Sequence, residues 1–253
     1  MIIAIAGKGG TGKTTLAALI IRALKGQSAG SILAIDADPN SNLGELLGVK
    51  SVSTMVEIVD DISKNLAQIP AGMTKDRYID MKIQESLNEE GGFDVLSMGR
   101  PEGPGCYCFV NNLLRGLIEK LMKNYDYVII DNEAGMEHLS RRLLRQIDTL
   151  FITSDSSIVG IRSAARISGL VDELGIKVRE RFLILNKSKD NTKTLKSEIK
   201  KTGLNLKTIL PLDKKIEDNA VNNKSIFELG DNNLLLESMR KIVVAKEKQE
   251  WIC

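Results

Sequence analysis

Cysteine, histidine and one-sided charge are all scarce in this chain, and each scarcity excludes something. Three cysteines in 253 residues cannot make a disulfide framework. The single histidine, His138, leaves few donors for a self-contained metal centre, because a tetrahedral site needs four. No apolar run approaches the ~20 residues of a membrane span. The 35 basic and 33 acidic side chains nearly cancel, and neither sign gathers into a block. That disfavours electrostatic capture of nucleic acid or anionic lipid and favours small ligands or proteins as partners. The opening MIIAIAGKGG has no positive region before its apolar run and no small-residue cleavage site, so a cytoplasmic location is expected. Free thiols in such a compartment are better explained by metal binding or catalysis than by bridging.

What is present is a 43% apolar chain, long enough to bury a substantial core as one domain over residues 1–253. Short β-branched runs at 2–6, 32–36, 93–99, 126–131, 149–154, 181–186 and 208–210 read as buried parallel strands. Between them, 14–25, 109–124, 159–174 and 193–202 carry apolar residues at threes and fours. The pattern predicts an α/β fold: a single doubly wound, mostly parallel sheet flanked by helices. Residues 50–92 are less regular and predict one or two peripheral helices, and a last helix over 231–247 packs on the sheet.

Gly7-Lys8-Gly9-Gly10-Thr11-Gly12-Lys13-Thr14 matches G-x-x-x-x-G-K-[ST] between a predicted strand and a predicted helix, the context of a P-loop NTPase. Glycines let successive backbone N–H groups converge on phosphate oxygens, and the helix N-terminus favours the same negative charge. Gly9, Gly10, Thr11, Gly12, Lys13, Thr14 and Thr15 are therefore the expected phosphate-binding set. Lys13 is expected on the β- and γ-phosphates and Thr14 on Mg²⁺. Asp131, ending the run YVIID, is the expected second magnesium-side group.

Lys8 is unusual, because a lysine this early in the loop reaches a nucleotide held by a facing copy more easily than its own. At GKGGTGKTT the sequence resembles the deviant-Walker-A ATPases, which include the nitrogenase iron protein, the cell-division and partition ATPases, and the CooC-type nickel-insertion accessory proteins. The resemblance implies a homodimer closed around two ATP molecules, with Lys8 reaching across. It extends to Asp36-Ala37-Asp38-Pro39, similar to that family's switch I. This implies that Asp38 activates the attacking water and that Asp36 lies near the magnesium. It extends also to Asp131-Asn132-Glu133-Ala134-Gly135-Met136-Glu137-His138, similar to switch II, which implies Gly135 near the γ-phosphate. Asn186-Lys187-Ser188-Lys189 lacks the aspartate of a guanine-reading N-K-x-D, which favours ATP. Asn186 resembles the family's adenine-contacting asparagine, with Pro211 beside the base.

Cys106 and Cys108 sit just before a predicted helix, whose N-terminus favours thiolate, the metal-binding form. A lone C-x-C supplies two donors, and two copies on a two-fold axis supply four. The plainer alternative is a pair of packed thiols. Cys-Tyr-Cys and Ala-Gly-Met-Glu-His-Leu resemble the CooC type in particular. That implies binding of Ni²⁺ or Zn²⁺ by Cys106 and Cys108 at a dimer interface, in service of carbon monoxide dehydrogenase or acetyl-CoA synthase. His138 reads as structural and Cys253 as incidental. The alternatives are a spatial-organisation ATPase cycling on membrane or DNA, and an iron–sulfur electron donor.

Overall fold

A computed structural model describes residues 1–38, 40, 42–49, 54–57, 69–99, 116, 118–134, 146–188 and 193–247. Its strands are β1 (Ile2–Gly7), β2 (Ile32–Asp36), β3 (Asn88–Glu90), β4 (Phe93–Ser97), β5 (Tyr127–Asp131), β6 (Gln146–Ser154), β7 (Lys177–Ser188) and β8 (Asn205–Pro211). The helices are α1 (Lys13–Gly26), α2 (Asn42–Leu47), α3 (Lys75–Ser86), α4 (Ile158–Glu173), α5 (Lys193–Thr202), α6 (Lys214–Val221) and α7 (Leu234–Glu247), with a 3₁₀ turn at Ile226–Glu228. None of the described helices is long and apolar enough to cross a membrane.

The strands form one sheet in the order β3-β4-β2-β5-β1-β6-β7-β8, parallel throughout except for β3, which pairs antiparallel with β4 at the edge. Alternation within the strands explains why both faces are covered. In β1, Ile3 and Ile5 point into the core beneath α1 and α7, while Ala4 and Ala6 point into the opposite core with α4. Strands buried on both faces read as continuous apolar runs, as the central strands here do. α1 is buried along most of its length, and the guanidinium of its Arg22 donates to the carbonyls of Ile226 and Leu229, tying the helix to the 3₁₀ turn.

Strand order reverses at β1: the chain steps from β1 across β5 to β2 on one side, and later fills β6, β7 and β8 on the other. In open α/β sheets such a reversal leaves a crevice at the carboxyl ends of the strands, where ligands bind. Among the described residues the predicted strands and helices are present, with three additional ones. The periodicity did not predict β3, α2 or α6. Residues 118–122 continue the helix expected over 109–124, with Ile118, Leu121 and Met122 buried, while its expected beginning lies outside the described residues.

Candidate nucleotide site

The glycine-rich loop leaves the sheet at Gly7, where a Cβ would lie 2.3 Å from Thr153 Oγ1 and 2.8 Å from Thr11 Oγ1. Gly10 and Gly12 take left-handed φ values of 78° and 87°, which suit glycine. α1 then opens at Lys13 with no side-chain cap and no acidic residue in its first turn. Its first amides are thus left for an external acceptor, and its dipole favours an anion there.

Side chains of the loop itself and of β7 hold the loop's carbonyls. The Thr11 hydroxyl donates to Lys8 O at 2.7 Å, Lys187 Nζ donates to Gly10 O at 3.2 Å, and Asn186 Nδ2 donates to Thr11 O at 2.9 Å. In a trans peptide the N–H points opposite to the C=O, so fixing these carbonyls fixes the amides that follow them. Lys13 is 8% exposed inside the loop, whereas Lys8 is exposed and has no ion-pair partner among the described residues.

Asp36 and Asp131 end β2 and β5 as direct register partners, each 1% exposed. Asp36 accepts from Leu43 N at 2.7 Å and from Asp38 N at 3.1 Å, so its two oxygens pin the segment after β2. Burial raises its carboxyl to about 6. Burial also raises Asp131 to about 7; the Thr14 hydroxyl and Lys13 oppose the rise and Asp36 adds to it. Neither oxygen of Asp131 has a hydrogen-bond partner of acceptable geometry, Thr14 included. A buried carboxylate left in that state fits a cation that arrives with its ligand. Among the described residues no group of three or more His, Cys, Asp or Glu can hold a metal unaided. The arrangement therefore suits Mg²⁺, which is commonly held by one or two protein groups plus phosphate oxygens.

Asp38 is half-buried, and its Oδ1 accepts from both the backbone N and Nδ2 of Asn40 at 2.9 Å. Asn40 is not among the residues the motifs single out, although Asp-x-Asn is a turn signal. Asn186, Lys187 and Pro211 line a cleft beside the start of α1, together with Leu212, Asp213 and Ile216 from the β8–α6 corner. Asn186 Oδ1 accepts from the Lys187 backbone N, whose residue holds an αL φ of 53°. Thr153 and Lys187 carried no local signal, since both act on the loop through space. Gly135, Cys106, Cys108, His138 and Cys253 lie outside the described residues.

The model of the CobQ/CobB/MinD/ParA nucleotide binding domain matches residues 2–226. An uncharacterized ATP-binding protein of Methanocaldococcus jannaschii is 43% identical over 96% of this chain and 96% of its own. The carbon monoxide dehydrogenase accessory protein CooC of Rhodospirillum rubrum is 32% identical over 70% of this chain and 71% of its own. Among solved structures, the septum site-determining protein MinD of Pyrococcus horikoshii, complexed with Mg-ADP, superposes with a TM-score of 0.70 at 19% identity, covering 99% of this chain and 97% of that one. An uncapped helix behind a glycine-rich loop, a buried aspartate without a hydrogen-bond partner and a family match over most of the length agree, and the chain belongs to the CobQ/CobB/MinD/ParA family of P-loop ATPases.

Proposed function

We propose that this ATPase is a maturation factor for a nickel enzyme, carbon monoxide dehydrogenase or acetyl-CoA synthase. ATP brings two copies face to face, and the paired Cys106 and Cys108 of both copies complete a four-thiolate site for Ni²⁺ or Zn²⁺ as cargo. The observation that carries this reading is the 32% identity to a carbon monoxide dehydrogenase accessory protein in a chain that also holds Cys-x-Cys.

In this reading the amides of Gly9 to Thr15 and the Lys13 ammonium bind the phosphates, and Gly135 approaches the γ-phosphate. Thr14 and Asp131 would hold Mg²⁺, which would neutralise charge on the phosphate oxygens. Asp36, whose oxygens are engaged by backbone amides, stays beside the ion and fixes Asp38. Asp38 takes the proton of the attacking water while the water oxygen bonds to the γ-phosphorus, the bridging P–O bond breaks and ADP leaves. Lys8 meets the partner's nucleotide, and the loss of γ-phosphate contacts relaxes the pair and frees the metal. Asn186 and Pro211 border the adenine.

The test replaces both thiols. Cys106→Ser with Cys108→Ser should abolish stoichiometric Ni²⁺ or Zn²⁺ binding and leave ATP binding within about twofold; unchanged metal stoichiometry would end the proposal. A second reading is a spatial-organisation ATPase cycling on membrane or DNA. ATP-dependent cosedimentation with anionic vesicles or duplex DNA would support it.

A further inference from the structure

Two hydroxyls buried beneath the P-loop form a relay that ends on the peptide carrying Lys8. Thr153, the penultimate residue of β6, is 1% exposed and lies 2.8 Å from the Thr11 hydroxyl, itself 4% exposed. Each hydroxyl has one proton. Thr11 gives its proton to Lys8 O at 2.7 Å, so the shorter of Thr153's two contacts, 2.8 Å against 3.3 Å to Ala6 O, carries the Thr153 proton to Thr11. The relay therefore runs from Thr153 through Thr11 to the Lys8 carbonyl.

Gly7 makes this approach possible, since any Cβ there would fall within 3 Å of both hydroxyls. The Lys8 carbonyl is held down towards β6, and peptide planarity turns the Gly9 N–H the other way. Lys8, Gly9 and Gly10 form the exposed crest of the loop, and the two flanking carbonyls on its far side are tied separately by Lys187 and Asn186. On the Lys8 side the carbonyl accepts from the Thr11 backbone N at 3.3 Å and, at the shorter 2.7 Å, from the Thr11 hydroxyl that ends the relay.

We infer that Thr153 is a positioning residue for ATP hydrolysis: through Thr11 it fixes the Lys8–Gly9 peptide and so presents Lys8 outward to act. This rests on the proposed role of Lys8. Thr153→Val exchanges one hydroxyl for a methyl and keeps the shape. Loss of one buried hydrogen bond in the relay should lower kcat roughly fivefold to tenfold and leave KM within about twofold. Thr153→Ser restores the hydroxyl and should restore kcat.

A structural role is separated by a double-mutant cycle, because a residue acting through Lys8 has nothing left to position once Lys8 is gone. Phosphate release is measured for Thr153→Val, Lys8→Ala and the double variant, with thermal melts alongside. The expected result is that Lys8→Ala lowers hydrolysis and that Thr153→Val adds no further loss. The same fold loss in both backgrounds, or a Thr153→Ser variant as slow as Thr153→Val, overturns the inference while leaving the role of Lys8 standing. Full hydrolysis by Lys8→Ala overturns both. Should Thr153→Val fail to fold, Thr11→Val breaks the same relay at its middle member and is read in the same cycle.

Discussion

Asp36 and Asp131 face each other across adjacent parallel strands at the carboxyl edge of the sheet, and only Asp36 has hydrogen-bond donors on its oxygens. The two carboxylates thus differ, since Asp36 anchors the segment that carries Asp38 while Asp131, in the proposed function, is the one left for the ion. Burying an unpartnered carboxylate costs stability, and in the proposed function magnesium and nucleotide offset that cost.

That cost sets a pH dependence. Both carboxyls hold their protons more tightly folded than unfolded. The stability tied to those protons is fully present below the ordinary value of 3.8 and is lost as pH rises towards about 6 for Asp36 and about 7 for Asp131. Asp131→Asn, which cannot ionise, should stabilise the metal-free, nucleotide-free protein by about 1 to 3 kcal/mol at pH 8 and by much less at pH 5. The same variant should lose magnesium-dependent hydrolysis. Thermal melts at the two pH values, with and without Mg²⁺ and ATP, check both.

Asp38→Ala removes the carboxylate assigned to the attacking water without touching the phosphate loop. Hydrolysis should fall roughly a hundredfold or more, the range of general-base losses. ATP affinity, measured by calorimetry, should stay within about threefold. A parallel loss of binding would place Asp38 on the nucleotide instead of the water.

Asn186 braces Thr11 O at 2.9 Å, and Gly12 leaves so little room that a Cβ would lie 2.4 Å from Asn186 Nδ2. Asn186→Ala should therefore weaken ATP binding by roughly tenfold, about what one well-formed hydrogen bond supplies. Calorimetric titration with ATP, and with tripolyphosphate as a ligand lacking the base, separates the two roles. Equal losses for both ligands identify the brace, and a loss confined to ATP identifies a base contact.

Asp213 joins two helix starts. Its Oδ1 accepts from Lys215 N at 2.9 Å and Ile216 N at 3.3 Å, capping α6, and its Oδ2 accepts from Asn233 Nδ2 at 2.7 Å. Asn233 in turn accepts from Leu235 N and Leu236 N at the start of α7. Asp213→Ala should cost about 1 to 3 kcal/mol in a urea melt, and Asp213→Asn less, because it keeps the capping oxygen.

The central strands were legible because burial on both faces forces long apolar, β-branched runs, as in Ile32–Asp36 and Tyr127–Asp131. β3, α2 and α6, at 3, 6 and 8 residues, are too short to show a period, and α6 is fixed instead by its Asp213 cap. In the candidate site, Lys13, Thr14, Asp36 and Asp131 lie in contiguous motifs that can be read along the chain. Thr153 and Lys187 did not, since each meets the P-loop only after the sheet has brought β6 and β7 alongside β1. The switch II glycine and the paired cysteines remain expectations of the sequence.

At the centre of the proposed function is a thiolate pocket that one chain leaves half-made and two chains finish under ATP. Light scattering with metal analysis of the same peak, on protein loaded with Ni²⁺ or Zn²⁺ in the presence and absence of a non-hydrolysable ATP analogue, tests it most directly. The predicted result is a nucleotide-dependent dimer carrying one ion per pair of subunits, with little metal on the nucleotide-free monomer. A full ion held by each monomer, or a dimer that forms with ATP and carries none, would contradict it.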